Sequence, residues 1–156
     1  MTPAQSRLLW LPPPAVVALT AIMMWLTAQQ AAHWTGSFFG QQAMAVFIML
    51  TALVLMLLAA WQLHRAWTTV LPFNPGNASH LVTGGIFRYS RNPIYVGDAL
   101  LLLAWAIWLG NGLALLWLPL FIGYMSRVQI RAEERALATK FGADYVDYCH
   151  RVRRWL

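Results

Sequence analysis

The side chains able to do chemistry fall into two clusters. The first is Ser79-His80-Leu81-Val82-Thr83-Gly84-Gly85-Ile86-Phe87-Arg88-Tyr89-Ser90-Arg91-Asn92-Pro93-Ile94-Tyr95-Val96-Gly97-Asp98. The second is Glu133-Glu134, followed by Leu137, Phe141-Gly142 and Tyr145. A cofactor bound between them would find cations, carboxylates and aromatic rings. Other chemistries are poorly served. The single cysteine, Cys149, excludes an internal disulfide and a Cys-x-x-Cys cluster. His33, His64, His80 and His150 show no i, i+4 pairing, so no metal site is expected.

Each piece also has a simpler reading. Asn92-Pro93 fits the N-cap and first position of a helix. Arg88 and Arg91 suit membrane-surface anchors, Gly84-Gly85 a turn, and Glu133-Glu134 a solvated helix face. Asp98 is harder to dismiss, because it falls about one turn into an apolar run, where an unpaired carboxylate costs a few kcal/mol. Pairing with Arg91 or Arg88 would offset that cost.

The elements that position these residues are apolar helices. Pro12-Pro13-Pro14 opens a first span over 15–32, whose 18 residues reach about 27 Å. A cleaved signal peptide after Arg7 competes with this reading, but the stretch is long for one and a second follows at once. That second span covers 43–63 and ends at His64-Arg65, with Trp61 and Trp67 as interfacial anchors. Thr68 to Asn92, with its prolines and glycines, reads as an ordered loop. Ile94 to Ser126 would run about 50 Å as one helix, too long for one crossing. Gly110-Asn111-Gly112 divides it into spans 94–109 and 112–126, the second kinked at Pro119. Beyond Ser126 the helix continues as a charged, amphipathic segment that Gly142 closes, and Asp144 is placed to cap a last short helix.

Composition agrees. The chain is 60% hydrophobic and 10% charged, far from a soluble domain. Its net charge of +6 would otherwise suggest nucleic acid, but no basic stripe with interleaved aromatics occurs, so lipid headgroups are the expected partner. With four spans, all eleven Lys and Arg residues fall on the side of the two termini and the middle loop. The positive-inside rule makes that side cytoplasmic. The expectation is an all-α, multi-pass integral membrane protein with about four transmembrane helices. It forms one domain over 1–156, lies in a bacterial inner membrane, and has site segments 68–98 and 127–150. Oligomeric state is left open.

Together the motifs are more specific. Leu81-Val82-Thr83, Gly85-Ile86-Phe87, Arg91, Pro93, Tyr95 and Gly97, then an apolar hairpin, then Glu133-Glu134, Leu137, Phe141-Gly142 and Tyr145 stand in this order. This pattern resembles the isoprenylcysteine carboxyl methyltransferase family and, more loosely, the membrane phospholipid methyltransferases. The resemblance runs from about Thr68 to Leu156. It implies S-adenosylmethionine as cofactor, lined by Ser79, His80, Leu81, Val82, Phe87, Asn92, Pro93, Ile94, Tyr95 and Glu133. By the same resemblance Glu133 pairs with the cofactor's ammonium and Arg91 balances its carboxylate, while Phe87 or Tyr95 packs on the adenine or near the sulfonium.

Helical spacing puts Glu133 on a face with Ser126, Gln129, Ile130 and Leu137, and Glu134 with Arg127 and Arg131. Glu133 is therefore expected to face the ligand and Glu134 to pair with arginine, with the reverse left open. Two departures bear on the substrate. The family's Arg-His-Pro is Arg91-Asn92-Pro93 here. Where the family places a substrate-contacting arginine, Gln129 stands between Arg127 and Arg131, and these three are the catalytic candidates. A lipophilic small molecule or lipid fits at least as well as a prenylated cysteine. Carboxylate O-methylation is favoured, since an ionised acceptor needs no general base. An amine or thiol acceptor would draw on His80, Tyr95 or Asp98. The competing activity is an NADPH-dependent membrane reductase of the steroid-reductase type, whose P-x-Y-x-G-E segment resembles Pro93-Ile94-Tyr95-Val96-Gly97-Asp98.

Overall fold

The computed structural model describes residues 11–66 and 80–156. Among them the chain is helical. The helices are α1 (Pro13–Gln30), α2 (Gln41–Arg65), α3 (Pro93–Leu109), α4 (Trp117–Tyr124), α5 (Ile130–Phe141) and α6 (Ala143–Arg151). No β-strand occurs among the described residues, and one isolated antiparallel bridge joins Thr35 to Asn111.

Local chemistry sets the boundaries. Pro13 occupies the first turn of α1 and Pro93 that of α3, where the missing N–H costs nothing. Gly110 ends α3 in the left-handed conformation (φ 64°), as the hairpin reading expects. Asn92 precedes α3 but makes no side-chain cap; its Nδ2 donates to the Arg154 carbonyl. Asp144 likewise does not cap α6. Gly142, at φ 54°, breaks the chain there and places Asp144 in the first turn.

α4 does not stop at the end of its apolar run. A π-helical turn, Met125–Gln129, carries it directly into α5, so the expected helix leaving the apolar region is continuous. The wide turn was not anticipated from the sequence. It rotates α5 relative to α4 and buries Gln129.

The α1–α2 and α3–α4 connections meet at one end. Gly36 N–H donates to the Gly110 carbonyl (2.9 Å) and Gly112 N–H to that of Trp34 (3.2 Å). Buried Asn111 donates to the Ala31 carbonyl (2.8 Å) and to Thr35 Oγ1 (3.0 Å), and accepts from the Leu113 and Ala114 amides. Gln41 ties in α2, donating to the Ile107 carbonyl (2.6 Å). Tyr95 and Glu133 belong to the opposite end of α3 and to α5, away from this knot.

α2 and α3 pack closely. Ala45, Ala52 and Ala59, seven residues apart, form a buried stripe on α2. On α3, a Cβ at Gly97 would collide with Met56 and approach the Ala52 carbonyl to 3.3 Å. Small residues permit such an approach of two backbones. A core of Val16, Met24, Tyr95, Leu102, Ala106, Phe121, Met125 and Ile130 joins α1, α3, α4 and α5. Trp105 and Trp117 fasten α1 by donating to the Ala21 carbonyl (3.1 Å) and to Thr27 Oγ1 (2.9 Å).

The outer face of α2 is apolar and uncovered: Phe47 is 70% exposed and Leu57 69%, with Leu50, Val54 and Trp61 also open. At 25 residues, α2 is long and apolar enough to cross a bilayer. α3 is apolar but has 17 residues, and α1 has 18 with prolines and glutamines at its ends.

Candidate active site

Three pieces of chain converge at the end of the bundle opposite the glycine turns: the segment Leu81–Tyr95, helix α5, and residues Val152–Trp155 beyond α6. α2 helps to place the first. Gln62 accepts from the Ile86 amide through Oε1 (3.1 Å) and fills the space where a Cβ on Gly85 would stand. Gly85 also has φ 56°, so both its backbone and its lack of a side chain are required there.

Tyr95 is buried near the start of α3, and its hydroxyl donates to Glu133 Oε1 at 2.5 Å. This contact ties the first cluster to the second across 38 residues. Burial pushes the Glu133 carboxyl up to about 7; the Tyr95 hydrogen bond opposes that rise and the neighbouring Glu134 charge adds to it. No cation pairs with Glu133 among the described residues.

Glu134 differs completely. It bridges Arg91 Nη2 (3.0 Å) and Arg154, which grips both carboxylate oxygens through Nε (3.0 Å) and Nη2 (2.6 Å). The Glu134 hydrogen bond holds the Arg154 guanidinium above its ordinary pKa. The expected arginine partners Arg127 and Arg131 are exposed instead, and Arg91 joins Glu134 rather than Asp98. Asp98 is buried on α3 at 7% exposure.

Residues 152–155 strap the site. Arg91 N–H donates to the Arg153 carbonyl (3.0 Å), and the Arg154 carbonyl accepts from Asn92 Nδ2 (2.9 Å) and Ser90 Oγ (3.4 Å). Trp155 Nε1 donates to Ser126 Oγ (2.9 Å), at the mouth of the π-helical turn. Tyr148 on α6 donates to the Phe87 carbonyl (2.7 Å), and Leu81 packs with Tyr145, Tyr148 and Val152.

The remaining expected residues divide as follows. Phe87 and Pro93 are buried, Val82, Ile94 and Leu81 half-buried, and His80 exposed. Ser79 lies outside the described residues, as does the 68–79 part of the expected loop. Gln129 is buried in the π-helical turn, and its Oε1 has no hydrogen-bond partner. Sequence reasoning missed Ser90, Ser126, Arg154 and Trp155. The basic run Arg151–Arg154 was visible only as a topology signal, and its contacts span more than sixty residues, beyond any local pattern.

A half-buried carboxyl with no cation among the described residues, set beside an aromatic hydroxyl, suits a ligand that carries a positive charge and hydrogen-bond donors. Known proteins give a context for this geometry. An uncharacterized protein of Haemophilus influenzae is 48% identical over 63 residues, covering 40% of this chain and 100% of that protein. No solved structure matches the chain. Residues 40–144, from the turn before α2 to the first turn of α6, match the phospholipid methyltransferase family, so the first cluster and the second as far as Gly142 fall within the matched stretch, with Tyr145 and the strap beyond it. The chain belongs to the phospholipid methyltransferase family, whose members are membrane methyltransferases acting on lipid-like substrates.

Proposed function

We propose that the protein is a multi-pass membrane methyltransferase that uses S-adenosylmethionine and methylates a lipid-like acceptor at the cytoplasmic membrane boundary. The observation that carries this reading is the half-buried Glu133, held against Tyr95 with no cation beside it among the described residues. Glu133 would hold the cofactor's ammonium and take its place as an ionised carboxylate when that charge arrives. Arg91, whose buried Nε has no acceptor, would balance the cofactor's carboxylate. His80, Leu81, Val82, Phe87 and Asn92–Tyr95 would wall the adenosine, with Ser79 assigned from the sequence motif alone. When bound, S-adenosylmethionine supplies an electrophilic methyl group.

The chain's own contribution is alignment and exclusion of water. Gln129, with Arg127 and Arg131, stands on the rod leaving the membrane and would orient the acceptor. A carboxylate acceptor is favoured because it is already ionised and needs no base, while the Tyr95 proton is committed to Glu133 and His80 is exposed. Four spans are inferred from α1, α2, α3 and the α4 rod. The two base-free connections meet at one end, and α2 offers an apolar face to lipid.

The test is transfer of labelled methyl from S-adenosylmethionine into the organic-soluble fraction by purified protein in lipid nanodiscs. Label is expected with the native chain and loss of at least tenfold with Glu133→Gln. Transfer that Glu133→Gln leaves untouched would remove Glu133 from the site.

A further inference from the structure

Asp98, the one acid on α3, takes no part in the contacts that join this helix to α5 and the strap. Its side chain is nonetheless enclosed, at 7% exposure. The arginines that could neutralise it are engaged or turned outward: Arg91 pairs with Glu134, and Arg88 is exposed. Neither an ion pair nor a hydrogen bond reaches Asp98 among the described residues. An ionised carboxylate in an apolar span is costly when left alone, and that cost falls when a cation is brought to it.

Position narrows the choice of cation. Asp98 stands one turn beyond Tyr95, about 4.5 Å further from the Pro93 end of α3. Helical spacing sets it on the side of Tyr95 and Leu102, which belong to the core shared with α1, α4 and α5. Gly97 turns instead toward Met56 and the Ala52 carbonyl of α2. Asp98 also lies within electrostatic reach of the Tyr95 hydroxyl. Tyr95 is thus flanked by Glu133 from α5 and by Asp98 one turn deeper. On the methyltransferase reading above, on which this step rests, the donor carries two positive charges, an ammonium and a sulfonium separated by three carbons. Glu133 takes the first. The second then lies further in, on the face that Asp98 occupies.

We propose that Asp98 is the counter-charge of the donor's sulfonium and selects the charged donor over the spent product. The sulfonium charge fades as the methyl group leaves, so a carboxylate there does not lower the barrier. It favours entry of the donor and release of the neutral thioether.

The full chain in detergent is titrated calorimetrically with sinefungin, which bears an amine-carrying carbon in place of the methylated sulfur, and with S-adenosylhomocysteine, which is neutral there. Both probes share the adenosine, ammonium and carboxylate, so the contributions of Glu133 and Arg91 cancel in the ratio of affinities. The native chain is expected to bind sinefungin roughly tenfold more tightly. Asp98→Asn should bring the two affinities within about threefold of each other through weaker sinefungin binding, and Asp98→Glu should restore the preference. Asp98→Ser serves as the neutral variant where Asp98→Asn does not fold. Equal affinity in the native chain, a preference that the neutral variants keep, or an equal loss for both probes would each overturn the role of Asp98 and leave the methyltransferase reading standing. Binding of neither probe by the native chain would strike that reading, and the role of Asp98 with it.

Discussion

At the scale of single residues, adjacent carboxylates have opposite fates. Glu134 is neutralised by two guanidinium groups, whereas Glu133 is half-buried against a phenol. The consequence is a pH dependence. Burial holds the Glu133 carboxyl at about 7, above the ordinary glutamate range, so near neutrality the folded chain retains a proton that the unfolded chain has released. Stability from this group is therefore present at low pH and lost as pH rises through about 7. Melting temperatures measured across that range should fall with pH in the native chain and flatten in Glu133→Gln. Ligand binding has the opposite sign, since an ammonium selects the ionised carboxylate. Affinity for S-adenosylhomocysteine should rise through about pH 7 in the native chain, and Glu133→Gln should weaken it at least tenfold, about 1.4 kcal/mol. That Glu134 rather than Glu133 pairs with arginine was legible, because neighbours on a helix point about 100° apart. The identity of Glu134's partners was not. Helical spacing offers Arg127 and Arg131, but the π-helical turn changes the register and long-range folding supplies Arg91 and Arg154 instead.

At the scale of elements, α2 and the strap hold the site from opposite sides. Gly97 lets α2 and α3 approach, and any larger side chain there meets Met56 and the Ala52 carbonyl. Gly97→Leu should destabilise the fold by about 1–3 kcal/mol, read as a lowered melting temperature in detergent. Trp155 donates to Ser126 and packs on the main core, while Arg154 fastens Glu134. Trp155→Ala should lower the melting temperature and weaken S-adenosylhomocysteine binding together, whereas Trp155→Phe should recover most of the stability but not the Ser126 hydrogen bond. The helices themselves were largely readable. The expected third span, 94–109, differs from α3 by one residue, because Pro93 and Gly110 punctuate it in the sequence. The strap was not readable, because nothing local distinguishes basic residues that anchor at a membrane surface from basic residues that clasp another segment.

At the scale of the whole molecule, the proposed orientation rests on charge and hydropathy. The base-free connections knot together at one end through Asn111 and the glycines, and the arginines and acids gather at the other. With Cys149→Ser removing the native thiol, a cysteine at Lys140 should react with impermeant maleimide from the cytoplasmic side, and one at Ser37 from the opposite side. Labelling of both from one side would reject the four-span arrangement. The family was legible because the motif residues stand in order along the chain, at the spacing the family shares. The acceptor was not, because Gln129 and its flanking arginines, the candidates for it, define no shape in the sequence. The central claim is that Tyr95 and Glu133 close one pocket for a cationic methyl donor. Calorimetric titration of the purified, detergent-solubilised chain with S-adenosylhomocysteine and, separately, with NADPH tests it most directly. The account predicts saturable binding of S-adenosylhomocysteine and none of NADPH; binding of NADPH alone would contradict it.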